Sequence, residues 1–68
     1  MIYDLQEQRN CVVRELRMRR KVYPGLVARG KMTESTASHE IAIMEAVLAT
    51  VNKLLVDQQQ MPLFMERP

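Results

Sequence analysis

Six apolar residues in the second half of the chain, Ala37, Ile41, Met44, Leu48, Val51 and Leu55, step by 4, 3, 4, 3 and 4. That spacing is the seam of a helix packed at a shallow angle on another helix. It excludes a strand, whose apolar positions would alternate. Thr33 is placed to cap this helix, with Glu34 next to it at the positive end of the dipole. The pattern stops at Gln58, so the spacing predicts a helix over 34–57, roughly 36 Å long. Ile43, Val47 and Leu54 form a second stripe beside the seam, interrupted by Glu40 and Thr50. One partner helix cannot cover so wide a face, and a second copy of the chain is the expected extra neighbour.

The first half reads as a noisier helix. Leu5, Val12, Leu16, Tyr23 and Leu26 step by 7, 4, 7 and 3, and Arg9 and Arg19 fill the gaps. Long Arg stems can cover apolar surface while their heads reach solvent. Val13 and Met18 widen the stripe. Pro24-Gly25 then breaks the pattern, because proline lacks an N–H and disfavours helix at the residue before it. The expectation is a helix over about 4–22, a kinked turn over 24–29 and a stop at Gly30. Tyr23 would anchor the hinge against the second helix. The fold class that follows is all-α: an antiparallel helical hairpin with a Pro-Gly kink, self-associating into a helical bundle. A dimer forming four helices is the simplest form. Its expected interface draws on Ile41, Met44, Val47, Leu48, Val51, Leu54 and Leu55.

Size supports self-association. A chain of 68 residues buries only about 60% of its unfolded surface on folding alone. Cys11 is the single cysteine and His39 the single histidine, so neither a disulfide framework nor a zinc site can staple the fold. Oligomerisation is the remaining common staple. Asp4 stands where a secretion signal would be basic, and no apolar run approaches the ~20 residues that span a bilayer. With a lone Cys, which suits a reducing compartment, the expected location is cytoplasmic, with no membrane contact.

Charge is unevenly spread. Residues 9–31 carry eight Lys and Arg against Glu15 alone, while residues 32–68 are acidic overall. Arg14, Arg17 and Lys21 form a row by helical steps, with Arg20 close by. Such a row can grip phosphates. It can equally be a solvated face that offsets the acidic second helix, or meet an acidic patch on a protein partner. The basic residues have no aromatic interleaving for stacking single strands, and no recognised base-reading unit stands at a helix tip.

Catalytic chemistry finds little to work with. Ser35, Ser38 and His39 spread over the solvated side of the second helix, and a nucleophile needs its base within reach. Cys11 beside Val12 reads as a small buried or half-buried residue, the alternative being a reactive thiolate helped by Arg14. Glu40 and Glu45 do not share a helix face well. Gly25 and Gly30 are the only glycines, so no phosphate loop exists. The chain is expected not to be an enzyme and to need no cofactor or metal.

The last eleven residues are different. They contain the only Phe, and Met61, Leu63 and Phe64 have no evident place in a seam that ends at Leu55. The expected organisation is a helical hairpin domain over 1–57 and a flexible interaction tail over 58–68. Gln60-Met61-Pro62-Leu63-Phe64 resembles the peptide by which bacterial proteins dock on the β sliding clamp, usually Gln-Leu-Ser/Asp-Leu-Phe. Gln60, Leu63 and Phe64 match its strongest positions, Met61 stands for Leu, and Pro62 departs from the usual Ser or Asp. The resemblance implies partner-binding residues Gln60, Met61, Leu63 and Phe64. Pro62 would hold Met61 extended. A tail folded back on the bundle end is the alternative. A second resemblance spans about residues 14–48. The run Arg14-Glu15-Leu16, Met18-Arg19-Arg20, Val22-Tyr23-Pro24, Leu26-Val27, Gly30-Lys31-Met32-Thr33, Ala37, Glu40-Ile41 and Met44-Glu45-Ala46 resembles short proteins carried by phages and prophages of Gram-negative bacteria. It implies a helical accessory protein and carries no catalytic residues. The expected function is docking on host replication machinery. Its alternatives are a nucleic-acid regulator using Arg14, Arg17, Arg20 and Lys21, and an inhibitor of some unrelated host protein.

Overall fold

Asp4 and Thr33 start the two helices that make up the fold. The computed structural model describes the backbone of residues 2–65 and the side chains of residues 2–59. Helix α1 runs Leu5–Ala28 and helix α2 runs Glu34–Met65. The Asp4 carboxylate accepts from the Glu7 amide at 2.8 Å. The Thr33 hydroxyl accepts from the Thr36 amide at 3.0 Å. Each cap satisfies one of the amides that a helix start leaves without a carbonyl.

Helix α1 ends in a Schellman turn. Lys31 N donates to Leu26 O at 2.8 Å and Gly30 N to Val27 O at 3.0 Å. Gly30 sits at φ +72°, the left-handed conformation that this stop requires and that a side chain would oppose. The expected end of the helix at Val22 and the separate turn over 24–29 are corrected here: α1 is continuous through Pro24 to Ala28. Pro24 costs one hydrogen bond, at the Arg20 carbonyl. Pro24 and Arg20 are both exposed, so water can reach that carbonyl. The turn beyond recovers its own backbone bonds and puts Leu26 and Val27, both half-buried, onto the seam. Helix α2 likewise outruns its expected end at Asp57 and continues to Met65.

Three cross-links set the packing. Arg9 Nε donates to Asn52 Oδ1 at 2.8 Å. Arg19 Nη1 donates to Glu40 O at 2.8 Å. Arg20 pairs with Glu45. Residue numbers rise along α1 as they fall along α2, so the helices are antiparallel, with Met18 about level with Ile43. The molecule measures 61 × 20 × 15 Å, a single layer of two helices. Its radius of gyration is 16.7 Å, against about 11 Å for a globule of this length.

Such a layer has little interior. Among the described residues only Leu16, Ala37 and Val51 are buried, and no large side chain is fully enclosed. Ile41, Met44, Leu48 and Leu55 on α2, and Leu5, Val12, Tyr23 and Leu26 on α1, are half-buried along the seam. Arg9 and Arg19 occupy the seam gaps as their spacing suggests. Their heads bond across to α2 rather than reaching into solvent.

Candidate interaction surfaces

The seam divides the layer into two broad faces. At about 100° per residue, Met18 and Val22 lie on one flank of the α1 seam, and Ile43, Val47 and Leu54 lie on one flank of the α2 seam. Because the helices are antiparallel, these flanks emerge on the same side. The contacts agree: Arg19–Glu40 marks that side, and Arg20–Glu45 with Arg9–Asn52 marks the other. All five residues are exposed, Leu54 at 47%. Cys11 continues the α1 flank. It is exposed, not half-buried as its neighbour Val12 suggests, because it points out of the layer.

Of the seven residues expected at an oligomer interface, Ile41, Met44, Leu48, Val51 and Leu55 fall on the intrachain seam. Val47 and Leu54 lie outside it with Ile43. Val22 belongs to the same surface and carries no such signal in a linear reading. Only the antiparallel register brings it beside the α2 stripe.

Three charged side chains on this side of the layer form one cluster. Arg19 Nε bonds Glu15 Oε1 at 3.1 Å, and Arg19 Nη1 lies 3.6 Å from Glu40 Oε1. The guanidinium also stands 6.0 Å from the centroid of the Tyr23 ring. The Arg19 side chain is 18% exposed, and its donors meet acceptors on both helices.

The opposite face is polar. Arg20–Glu45 and Arg9–Asn52 cross it, and a shallow depression lies among Val13, Leu16, Arg17, Arg20 and Leu48. Arg14, Arg17 and Lys21 are exposed and make no ion pair among the described residues. The basic row is thus split: Arg20 is tied to α2, and the other three point into solvent.

At the end of the hairpin away from the loop, Ile2 and Tyr3 stand against the first turns of α1 and form an open groove of about 840 Å³ that includes Cys11 and Val12. Ser35, Ser38 and His39 are all exposed on α2. The side chains of Gln60, Met61, Leu63 and Phe64 lie outside the described residues. Their backbone is helical, where the sequence suggests an extended Met61. No protein-family model, curated protein or solved structure matches this chain.

Proposed function

We propose that this chain is a small phage-type interaction factor of the cytoplasm: a self-associating helical scaffold that docks on the host's β sliding clamp through Gln60, Met61, Leu63 and Phe64. The observation that carries the reading is the pentad Gln60-Met61-Pro62-Leu63-Phe64, which stands in the stretch of α2 that outruns the shorter α1. Docking as an extended peptide requires that stretch to unwind. Pro62 lowers the cost, since it gives no N–H to the Gln58 carbonyl. The last turn of a helix also leaves its carbonyls without intrahelical partners. Leu63 and Phe64 then supply adjacent apolar anchors, and Gln60 a hydrogen bond at the pocket rim. A dimer would carry two such segments, which raises avidity for a ring with several sites.

Calorimetry with the intact chain and purified clamp tests the reading. Binding is expected in the micromolar range, about −8 kcal/mol. Joint replacement Leu63→Ala and Phe64→Ala abolishes it without loss of helical signal. Pro62→Asp strengthens it by restoring the usual peptide. No heat of binding from the intact chain overturns the proposal.

One observation favours a second reading. Arg14, Arg17 and Lys21 project together from one side of α1 without acidic partners among the described residues, as a phosphate-binding row would. A nucleic-acid regulator would shift duplex DNA at low ionic strength, weaken steeply with added salt, and lose binding in Arg17→Glu with Lys21→Glu. Absence of any shift leaves the row as a solvated face.

A further inference from the structure

We infer that a second copy of this chain covers the face formed by Met18, Val22, Ile43, Val47 and Leu54, so that two hairpin layers stack face to face as a four-helix bundle. This deepens the self-association in the proposed function and is independent of the clamp-binding segment.

Three observations commit the face to that occupant. The first is area. The chain exposes 5558 Å², whereas a compact protein of its mass exposes about 4,400 Å². The excess, about 1,100 Å² per chain, is shared among the two faces of the layer and the overhang of α2, and it leaves room for half of an obligate interface, which buries about 2,000 Å² or more over both partners. The second is the missing layer. A helical domain closes its core with elements on both sides of each apolar stripe, yet this one is a single layer with three buried residues among those described. An identical layer turned over supplies the missing wall and no other chain is needed. The third is where the apolar surface lies. Eight large apolar side chains are exposed among the described residues, and five of them are on this one face.

The stripe is also shaped for a flat partner. In the antiparallel register Val22, Met18 with Ile43, Val47 and Leu54 follow one another along the layer. They cross once from α1 to α2 over about 23 Å at 1.5 Å per residue. Arg19, beside this stripe, donates Nε to Glu15 and Nη1 to the Glu40 carbonyl, so two of its five donors are already met within its own chain. The opposite face offers Arg17, Arg20 and Glu45 with, among the described residues, one exposed large apolar side chain, Val56, so a second copy there would desolvate charge for little apolar burial.

Sedimentation equilibrium of the intact chain is the first test. A dimer is expected at micromolar concentration. Val47→Lys should raise the dissociation constant about ten-fold or more, because it places an unpaired charge at the centre of the contact. Ala49→Lys, exposed on the other side of the same helix, should change it by less than about two-fold. Since Val47→Lys could also unfold a chain that depends on its partner, cross-linking supplies a second measurement. In a Cys11→Ser background a short bismaleimide should join copies through Val47→Cys and not through Ala49→Cys. A folded monomer at tens of micromolar overturns the inference, as does cross-linking through Ala49→Cys in place of Val47→Cys. Neither result bears on the clamp, because all of these variants keep residues 58–68.

Discussion

Arg19 and Arg20 are adjacent, carry the same charge and go to opposite faces of the layer. On the apolar face Arg19 is held by Glu15, the Glu40 carbonyl and carboxylate, and the Tyr23 ring. On the polar face Arg20 reaches a single carboxylate, Glu45, and its side chain stays 55% exposed. The difference is one helical step of about 100°. It shows that the two faces are not interchangeable surfaces of one hairpin. One holds Arg19 between two carboxylates and, among the described residues, carries five exposed large apolar side chains. The other spreads its charge over exposed side chains, as a water-facing surface does.

The sharpest way to break that contrast uses Leu54 and Val56. They are two residues apart on α2, on opposite faces, and are exposed to nearly the same extent, 47% and 50%. Were both faces open to water, truncating either would matter little. With a second copy on the apolar face, Leu54→Ala removes buried contact and should cost about 1–2 kcal/mol. The unfolding midpoints of the intact chain and of this variant should both fall as the protein is diluted, because the interface belongs to the folded state alone. Val56→Ala should stay within about 0.5 kcal/mol, since Ala is also the better helix former. Urea denaturation at two protein concentrations reads both. Equal effects, or unfolding midpoints that do not change with protein concentration, would remove the distinction between the faces.

Much of this arrangement is legible in the sequence because it follows from period. The steps from Ala37 to Leu55 place the seam, Thr33 the cap, and Gly30 the stop. The stripe of Ile43, Val47 and Leu54 stands out as surplus apolar surface by its spacing alone. Pro24 misleads, because its local penalty is assessed as if the helix had far to go. Near a C-terminus only one bond is lost, and seam contacts at Leu26 and Val27 outweigh it. The pairing of Met18 and Val22 with Ile43 depends on antiparallel register, which only long-range contacts such as Arg9–Asn52 reveal. Likewise the bonding of the Arg9 and Arg19 heads across the seam depends on which α2 acceptors arrive opposite them. The candidate docking residues Gln60, Met61, Leu63 and Phe64 are legible only as a resemblance, because the pocket that would give them meaning belongs to another molecule.

The smallest expected effect returns to the neighbouring arginines. Arg19→Ala removes a largely covered guanidinium with bonds of 3.1 Å and 2.8 Å and a stem packed along the seam, so a loss of about 1–2 kcal/mol is expected. Arg20→Ala removes one exposed ion pair, worth within about 0.5 kcal/mol. Salt separates the two further. At about 1 M the Debye length falls to about 3 Å. The Arg20–Glu45 contribution should then vanish, while most of the Arg19 contribution persists, because it rests on hydrogen bonds and packing as well as charge. Denaturation of both variants at low and high salt, at one protein concentration, reads the comparison. If Arg19→Ala proves as mild and as salt-sensitive as Arg20→Ala, the cluster on the apolar face is as open to water as the pair on the polar one, and the reason for covering that face with a second copy weakens with it.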